Sequence, residues 1–556
     1  MSKNKENITI KLWMLSFASS ILLSIPFMMP HLGFVALIAF IPLFAAEQLA
    51  KDYNKKFFCI IYYCAFFLWN IITTYWVYFA TPPGAAAAIL LNSLQMAIIF
   101  ALFRWMRRIT KGFLPYIFFI ITWLAWEHSY FTWAVNWPWL VLGNSFATSI
   151  KSIQWYEYTG TLGGSLWILM ANTLLFRIIH LKLRGERVRV SIISLAAIII
   201  IPIVASHFIY YNYKEIENKR EFTVLQPNID PFNDKFGGLT QQDQDRKLIK
   251  LLTKSNNGRD RVILAPETFI CTRLNEDNPL LNTSLSNFYN IIKDYNSLDS
   301  IGNGSNVNMI IGAVTYKMYS SSIDPTETAT NIGDNKWYDQ FNTAIFMDSR
   351  GAYNFYHKSK LVILAESNPF RKGPLKFIDK LVSGMAGGIG NFGTQPQRSI
   401  FITPNSSDNA KKNSVKMGTA ICYESIFGDY YREYVLKGAN VMGIITNDGW
   451  WKNTAGHKQH LSYASLRAIE TRRSIARSAN TGISAFINQR GDITTQTEWW
   501  TEAYLNGHLN LNENITVFVQ YGDIIGRLSR FLFFLFMLMG VARLVSKKYI
   551  VKEVFK

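Results

Sequence analysis

The sequence predicts an α-helical membrane bundle of about eight spans, with an extracytoplasmic α/β domain inserted before the last span. Apolar residues of the 556-residue chain concentrate before about residue 211 and again near the C-terminus. The middle of the chain, in contrast, has the composition of an ordinary soluble domain. Lysine and arginine cluster at alternate ends of the apolar runs, a pattern typical of proteins that cross a membrane several times.

Eight apolar runs form the predicted bundle. Each approaches the ~20 residues that an α-helix needs to cross ~30 Å of hydrocarbon. Buried core helices of a soluble protein are the alternative, but so many long apolar runs close together are not typical of soluble folds. The predicted spans are 12–29, 32–46, 57–80, 85–103, 113–133, 160–180, 189–210 and 529–546.

Basic residues predict the orientation of these spans. Lysine and arginine cluster before the first span, after the second and fourth, between the sixth and seventh, and after the last. The alternate connections 30–31, 81–84 and 134–159 contain only one lysine or arginine, Lys151. The positive-inside rule therefore places both termini in the cytoplasm. The predicted parts are a seven-span bundle over 1–211, an extracytoplasmic domain over 212–525, and the last span with its cytoplasmic tail over 526–556.

The net charge of +19 follows from the same basic clusters. Because the charge is divided among several membrane-edge clusters, it does not indicate a nucleic-acid partner. The chain has only four cysteines and lacks CxxC, HExxH and phosphate-loop patterns. The sequence therefore predicts neither a metal site nor a cofactor.

Short apolar runs alternate with helical stretches through the inserted domain. This alternation predicts an α/β layered core, in which strands and helices pack in separate layers. The strands that matter most for function are predicted at 261–266, 353–358 and 415–422, and the longest helices at 240–255, 280–295 and 457–471.

Each of those three strands ends at a residue that can take part in covalent catalysis. One ends at Cys422, which polar residues follow at once, as expected for a nucleophile mounted at the edge of a sheet. A free thiol has a pKa of ~8.5 and needs a nearby cation or base to react at neutral pH. The other two strands deliver Glu267 and Lys358, a carboxylate and an ammonium.

The order Glu267, Lys358, Cys422, each at a strand end, resembles the carbon–nitrogen hydrolase (nitrilase-like) superfamily. The resemblance implies an αββα sandwich, with Glu267 as general base, Lys358 as the cation that stabilises the oxyanion, and Cys422 as the nucleophile. Lys358 is preferred to Lys360 because the superfamily pattern Tyr-x-Lys-x-x-Leu-Val fits the stretch 356–362.

Later motifs resemble one branch, the apolipoprotein N-acyltransferases. They are Asn447-Asp448-Gly449-Trp450-Trp451, Gln459-His460-Leu461, Arg467-Ala468-Ile469-Glu470 and Asn480-Thr481-Gly482-Ile483-Ser484. The resemblance also covers the layout of the bundle. It implies three supporting site residues, Glu366, Tyr423 and Glu424, although Glu424 could equally cap the predicted helix 425–436.

This second resemblance implies an activity and a location. The enzyme would move a fatty acyl chain from a phospholipid, through a cysteine thioester, to the α-amine of the N-terminal diacylglyceryl-cysteine of a lipoprotein, the last step of lipoprotein maturation. Its partners would be the phospholipid donor, the diacylated lipoprotein acceptor and the bilayer. It would lie in the inner (cytoplasmic) membrane of a bacterium, with the catalytic domain on the periplasmic side.

Two other interpretations fit parts of the sequence. A membrane-anchored amidase or nitrilase-type hydrolase would use water in place of an amine. A transporter or sensor with a degenerate ligand-binding domain would need no chemistry at all, although Glu267, Lys358 and Cys422 are all present. The fate of a labelled acyl chain distinguishes the three: it moves to an amine, to water, or not at all.

Overall fold

The computed structural model describes residues 2–133, 136–297, 306–319, 326, 328–368, 391–404 and 414–554, and the side chains of residues 7–546 within those ranges. The chain forms two units. One comprises Met1–Tyr75, Ala85–Asn212 and Tyr521–Lys556, and the other comprises Trp76–Gly84 and Tyr213–Gln520.

The first unit is helical. Its aromatic interior is well packed: the ring of Phe44 lies 5.3 Å from that of Phe119 and 5.6 Å from that of Phe103. In chain order, the α-helices before residue 213 are α1 (Ser2–Met28), α2 (Ile41–Asp52), α3 (Phe58–Thr74), α4 (Val77–Ala80), α5 (Pro82–Ile109), α6 (Leu114–Tyr130), α7 (Tyr156–Leu183) and α8 (Arg189–Asn212). Of these, α4 belongs to the second unit. A last helix covers Ile524–Val554.

Six helices of the described chain are long and apolar enough to cross a membrane, whereas the sequence predicted about eight spans. Predicted spans 57–80 and 113–133 contain α3 and α6, which have 17 residues each. At 1.5 Å per residue such a helix is only about 26 Å long, shorter than the hydrocarbon layer. The six are Asn7–Met28, Gly33–Asp52, Pro82–Ile109, Tyr156–Leu183, Arg189–Asn212 and Ile524–Ser546.

The second unit contains two β-sheets. An eight-stranded sheet has the order β14-β1-β2-β4-β6-β5, with β3 paired to β4 and β7 to β6, and a six-stranded sheet has the order β13-β12-β11-β10-β9-β8. The strands are β1 (Lys219–Gln226), β2 (Arg261–Leu264), β3 (Ile270–Asn275), β4 (Val307–Tyr319), β5 (Thr330–Asn331), β6 (Trp337–Met347), β7 (Tyr353–His357), β8 (Ile400–Ile402), β9 (Lys416–Ile421), β10 (Val441–Thr446), β11 (Ile475–Ala479), β12 (Ala485–Ile487), β13 (Ile493–Gln496) and β14 (Ala503–Asn510).

The two sheets pack face to face. Strands β1 and β2 contact β11, and β6 contacts β9. The approach is close at Gly443 of β10, where a Cβ atom would lie 3.0 Å from the side chain of Leu264 in β2. Glycine at this position therefore lets the inner faces of the sheets meet.

Helices cover the outer faces of the sandwich. Leu248 and Leu252 from one helix and Phe288 from another join the buried core on the eight-stranded sheet. Each such side chain contributes ~1.5–3 kcal/mol of burial free energy. The resulting α–β–β–α order confirms the predicted nitrilase-like sandwich. Besides α4, the described helices of this unit are α9 (Gln241–Ser255), α10 (Thr283–Ser297), α11 (Gly428–Leu436), α12 (Ala455–Thr471) and α13 (Val517–Tyr521).

Candidate active site

A buried ion pair forms the centre of the site. Lys358 directly follows β7, and its Nζ lies 2.8 Å from Oε1 of Glu267 and 2.9 Å from Oε1 of Glu366. The Lys358 side chain is 1% exposed and that of Glu267 is 7% exposed. The structure thus brings three of the six predicted site residues together, with two carboxylates sharing one ammonium.

Asn342 completes this hydrogen-bonded group. Its Nδ2 donates to Oε1 of Glu267 at 2.9 Å and to Oε1 of Glu366 at 2.8 Å. Its backbone carbonyl accepts from the Lys358 N–H at 2.8 Å, because β6 and β7 are antiparallel neighbours. Sequence reasoning missed Asn342, because its place opposite Lys358 depends on the antiparallel pairing of β6 with β7.

The backbone around Glu267 is held from two sides. Gly312 of β4 allows the close approach, since a Cβ there would lie 2.5 Å from the Pro266 carbonyl oxygen. On the other side, the buried Lys235 donates from Nζ to the Glu267 carbonyl at 3.1 Å and to the Thr268 hydroxyl at 2.8 Å. Lys235 was also missed, because no local pattern distinguishes one lysine among many.

Electrostatics keep the central pair ionised. Burial alone would raise the pKa of Glu267, but the charge of Lys358 and the hydrogen bonds from Lys358 and Asn342 hold it below its usual value. Burial would likewise lower the pKa of Lys358, yet Glu267 and Glu366 raise it well above that of a free lysine. Both groups are therefore charged at neutral pH.

Cys422 stands where β9 ends and a short 3₁₀ turn, Cys422–Ile426, begins. Its φ is +51°, in the left-handed region that non-glycine residues rarely adopt. Burial raises the pKa of the thiol and the charge of Glu267 raises it further, whereas Lys358 lowers it. The thiol is thus protonated at neutral pH and needs a base at the moment it attacks.

Glu424 is fully buried and links the loops that carry Lys358 and Cys422. Its Oε1 accepts from the Ser359 N–H at 2.7 Å, and its Oε2 accepts from the Ile421 N–H at 2.8 Å. Three tyrosine hydroxyls also donate to this carboxylate, from Tyr356 at 2.9 Å, Tyr430 at 2.5 Å and Tyr434 at 3.2 Å.

The remaining predicted residue, Tyr423, is buried and packs its ring against that of Phe427, with centroids 5.1 Å apart. Glu424 caps the 3₁₀ turn Cys422–Ile426 through the Ile421 N–H, whereas the sequence had suggested a cap of helix 425–436, which begins at Gly428 in the structure. Among the described residues, no group of three or more histidine, cysteine, aspartate or glutamate side chains could hold a metal ion. The chemistry available at this site is that of a thiol, two carboxylates and an ammonium.

Comparison with known proteins gives two family matches. Residues 19–174 match the apolipoprotein N-acyltransferase N-terminal domain, and residues 249–516 match the carbon–nitrogen hydrolase domain. The apolipoprotein N-acyltransferase of Chlorobaculum tepidum is 26% identical over 513 residues, 89% of each chain. That of Geobacter metallireducens is 26% identical over 529 residues, 92% of each chain. The chain belongs to the apolipoprotein N-acyltransferase family.

The candidate site lies within the matched hydrolase region. The carbon–nitrogen hydrolase region of this apolipoprotein N-acyltransferase family member contains Glu267, Asn342, Lys358, Glu366 and Cys422. Apart from Trp76–Gly84, the N-terminal match lies in the helical unit, so the chain is a membrane protein with an enzyme domain. Among solved structures, an amidase from Nesterenkonia sp. is 13% identical with a TM-score of 0.33, covering 56% of this chain and 95% of the amidase.

Proposed function

We propose that this protein is an apolipoprotein N-acyltransferase that moves a fatty acyl chain from a phospholipid to the α-amine of an N-terminal diacylglyceryl-cysteine. The observation that carries the proposal is the buried Glu267–Lys358 ion pair, which lies in the same sandwich domain as the buried Cys422 thiol. It occurs in a chain that matches both the membrane and the hydrolase domains of the family. Glu267, Lys358 and Cys422 are the proposed catalytic residues.

The first half-reaction forms a thioester. Glu267 takes the proton from the Cys422 thiol as the sulfur attacks the ester carbonyl carbon of the phospholipid. The carbon–oxygen bond to the glycerol then breaks, and Glu267 returns the proton to the leaving oxygen. Lysophospholipid departs with a free hydroxyl, and the acyl chain stays on the Cys422 sulfur.

Charge balance favours Glu267 as the base. Two carboxylates and one ammonium, all within hydrogen-bonding distance, carry a net charge of −1. When Glu267 takes a proton, that group becomes neutral while negative charge moves to the sulfur and then to the carbonyl oxygen. The buried Lys358 ammonium stabilises this charge, since an ammonium shielded from water interacts more strongly with it.

The second half-reaction uses the same base. The amine of the lipoprotein attacks the thioester carbon, and Glu267 accepts the amine proton. The carbon–sulfur bond breaks, an amide forms, and the proton passes to the Cys422 sulfur. Glu366 shares Lys358 and Asn342 with Glu267, so we assign it a supporting role in keeping the ammonium in place.

We propose that this reaction takes place on the periplasmic side of a bacterial inner membrane. The basic clusters at alternate helix ends support an extracytoplasmic domain over 212–525, between the bundle of 1–211 and the last helix with its tail over 526–556. Six spans, like eight, return the chain to the side from which it started. Both termini are then cytoplasmic, and the phospholipid donor comes from the outer leaflet.

A transfer assay tests the proposed function. Purified protein is mixed with phospholipid labelled in its acyl chain and with a diacylated lipopeptide whose N-terminal amine is free. We expect labelled triacylated lipopeptide and lysophospholipid in equal amounts, and no transfer to the same lipopeptide with its amine acetylated. Label released as free fatty acid with either lipopeptide would identify a membrane-anchored amidase-type hydrolase, and no release of label would exclude acyl chemistry.

A further inference from the structure

A second buried charged group lies behind the nucleophile. The group consists of Asp448, His460 and Arg477, and is called here the Asp448 cluster. All three side chains are 0% exposed. Asp448 lies just after β10, and Arg477 is in the neighbouring strand β11. His460 belongs to α12, which covers the outside of the same sheet.

Asp448 holds the imidazole of His460 in place. Oδ2 of Asp448 accepts from Nη2 of Arg477 at 2.6 Å, and Oδ1 lies 2.9 Å from Nδ1 of His460. Arg477 and His460 together hold the pKa of Asp448 well below its usual value, although burial acts in the opposite direction. A charged carboxylate therefore orients the ring through Nδ1.

The other nitrogen of the ring faces the nucleophile. Nε2 of His460 lies 3.3 Å from the Cys422 carbonyl oxygen and 3.0 Å from the Ser425 hydroxyl oxygen. The Ser425 hydroxyl itself donates to the Cys422 carbonyl at 2.8 Å. Nε2 of His460, the Ser425 hydroxyl and the Cys422 carbonyl therefore form one contact group at the nucleophile.

This contact falls on the strained part of the backbone. Cys422 has a φ of +51°, and a cysteine needs support from its surroundings to remain in that region. His460 and Ser425 both support this conformation by contacting the Cys422 carbonyl. The ring of Trp451, 5.4 Å from the imidazole, covers His460 further.

We propose that His460 is a positioning residue that holds Cys422 in the conformation from which its sulfur attacks. Asp448 and Arg477 fix the ring, and Nε2 fixes the cysteine backbone through its carbonyl and through Ser425. The inference rests on the proposed role of Cys422 as nucleophile. It adds to the machinery a residue that acts through the backbone of Cys422.

Two substitutions test the two ring nitrogens of His460 one at a time. In His460→Gln the side-chain amide nitrogen can replace Nε2 and keep the contact with Cys422 and Ser425. In His460→Asn the amide nitrogen can replace Nδ1, which keeps Asp448 but loses Cys422. The measurement is the rate at which phospholipid acylates Cys422 in the full-length protein, followed by intact mass over a range of phospholipid concentrations.

We expect His460→Asn to acylate at least ~10-fold more slowly than His460→Gln at saturating phospholipid, because a small displacement of a reacting atom is costly. Half-saturating concentrations and melting temperatures of the two variants should be alike. Equal acylation rates, or a faster asparagine variant, would overturn the inference. His457→Asn is the control: this histidine, one turn earlier on α12, contacts Asn453 and Trp499 and should leave the rate unchanged.

A second variant keeps the inference testable if neither His460 variant folds. Ser425→Ala removes one hydroxyl and with it the other hydrogen bond to the Cys422 carbonyl. We expect slower acylation at an unchanged half-saturating concentration, and a wild-type rate would overturn the inference. Failure of the proposed function would look different, since the wild-type protein itself would then form no acyl adduct on Cys422.

Discussion

At the scale of single residues, Lys358 is the side chain whose charge the site depends on most. It is the only cation in contact with both Glu267 and Glu366 among the described side chains, and it is almost fully buried. Replacing it with a neutral group leaves two carboxylates close together and removes the charge that stabilises the oxyanion. Its contribution can be measured against that of Lys360, two residues later.

We predict that Lys358→Ala lowers the acyl-transfer rate by at least ~10²-fold, the usual scale for losing an oxyanion-stabilising group. Lys360→Ala should leave most of the activity, since the Lys360 ammonium lies over the ring of Phe427, 5.0 Å from its centroid. The transfer rate to a lipopeptide amine is the measurement for both. An essential Lys360 with a dispensable Lys358 would contradict the proposed site.

Sequence reasoning selected Glu267, Lys358 and Cys422 because each stands at the end of a predicted strand; β2 and β9 are almost fully buried, whereas β7 is largely exposed or half-buried. It could not reach Lys235 or the hydrogen bonds of Asn342, which depend on how separate strands and loops meet. The role of Glu424 was left open between a cap and a site residue. The structure gives it contacts to two loops, which neither interpretation included.

At the scale of elements, Glu424 connects the end of β9 to the segment after β7. Two backbone N–H groups and three tyrosine hydroxyls converge on one buried carboxylate. A glutamine in its place would turn an amide group toward those donors. A buried donor left without an acceptor costs ~1–3 kcal/mol of folding free energy.

We therefore predict that Glu424→Gln lowers the thermal stability of the protein and slows acylation of Cys422 together, because the same contacts fix the fold and the two loops. Thermal unfolding and the acylation rate, measured on the same preparation, check this. Glu433→Gln on α11 is the matched control, since that side chain is 47% exposed. A Glu424→Gln protein with wild-type stability and rate would show that the link between the loops is dispensable.

Predicted strands 261–266 and 415–422 correspond to β2 and β9, whose residues are almost all buried. Strand β14 was missed because half-buried and exposed residues alternate along most of it and polar side chains interrupt its pattern. It pairs with β1 at the edge of the eight-stranded sheet, a long-range contact that no local pattern reports. The hydropathy of the sequence also predicted one continuous span over 57–80, whereas α3 ends at Thr74 in the structure.

At the scale of the whole molecule, the sidedness of the catalytic domain decides which substrates reach it. We predict that alkaline phosphatase fused after Lys235 is active, because the fusion point is extracytoplasmic, and that the same enzyme fused after Arg187 is inactive. The basis is the cluster of basic residues between α7 and α8. The reverse result would place the domain in the cytoplasm, away from exported lipoproteins.

The central claim is that Cys422 carries the acyl chain between two lipids. Two large lipids do not easily share one cleft, so an exchange in two steps through a thioester is expected. A hydrolase would admit water to the same carbon and clear the thioester quickly, whereas a transferase excludes water until the amine arrives. The intermediate should therefore accumulate when the acceptor is withheld.

The most direct measurement is the intact mass of the protein after incubation with phospholipid alone. We predict a single added acyl group that neutral hydroxylamine removes, with lysophospholipid released, and no added mass on Cys422→Ala. Steady release of free fatty acid without any adduct on the protein would contradict the account.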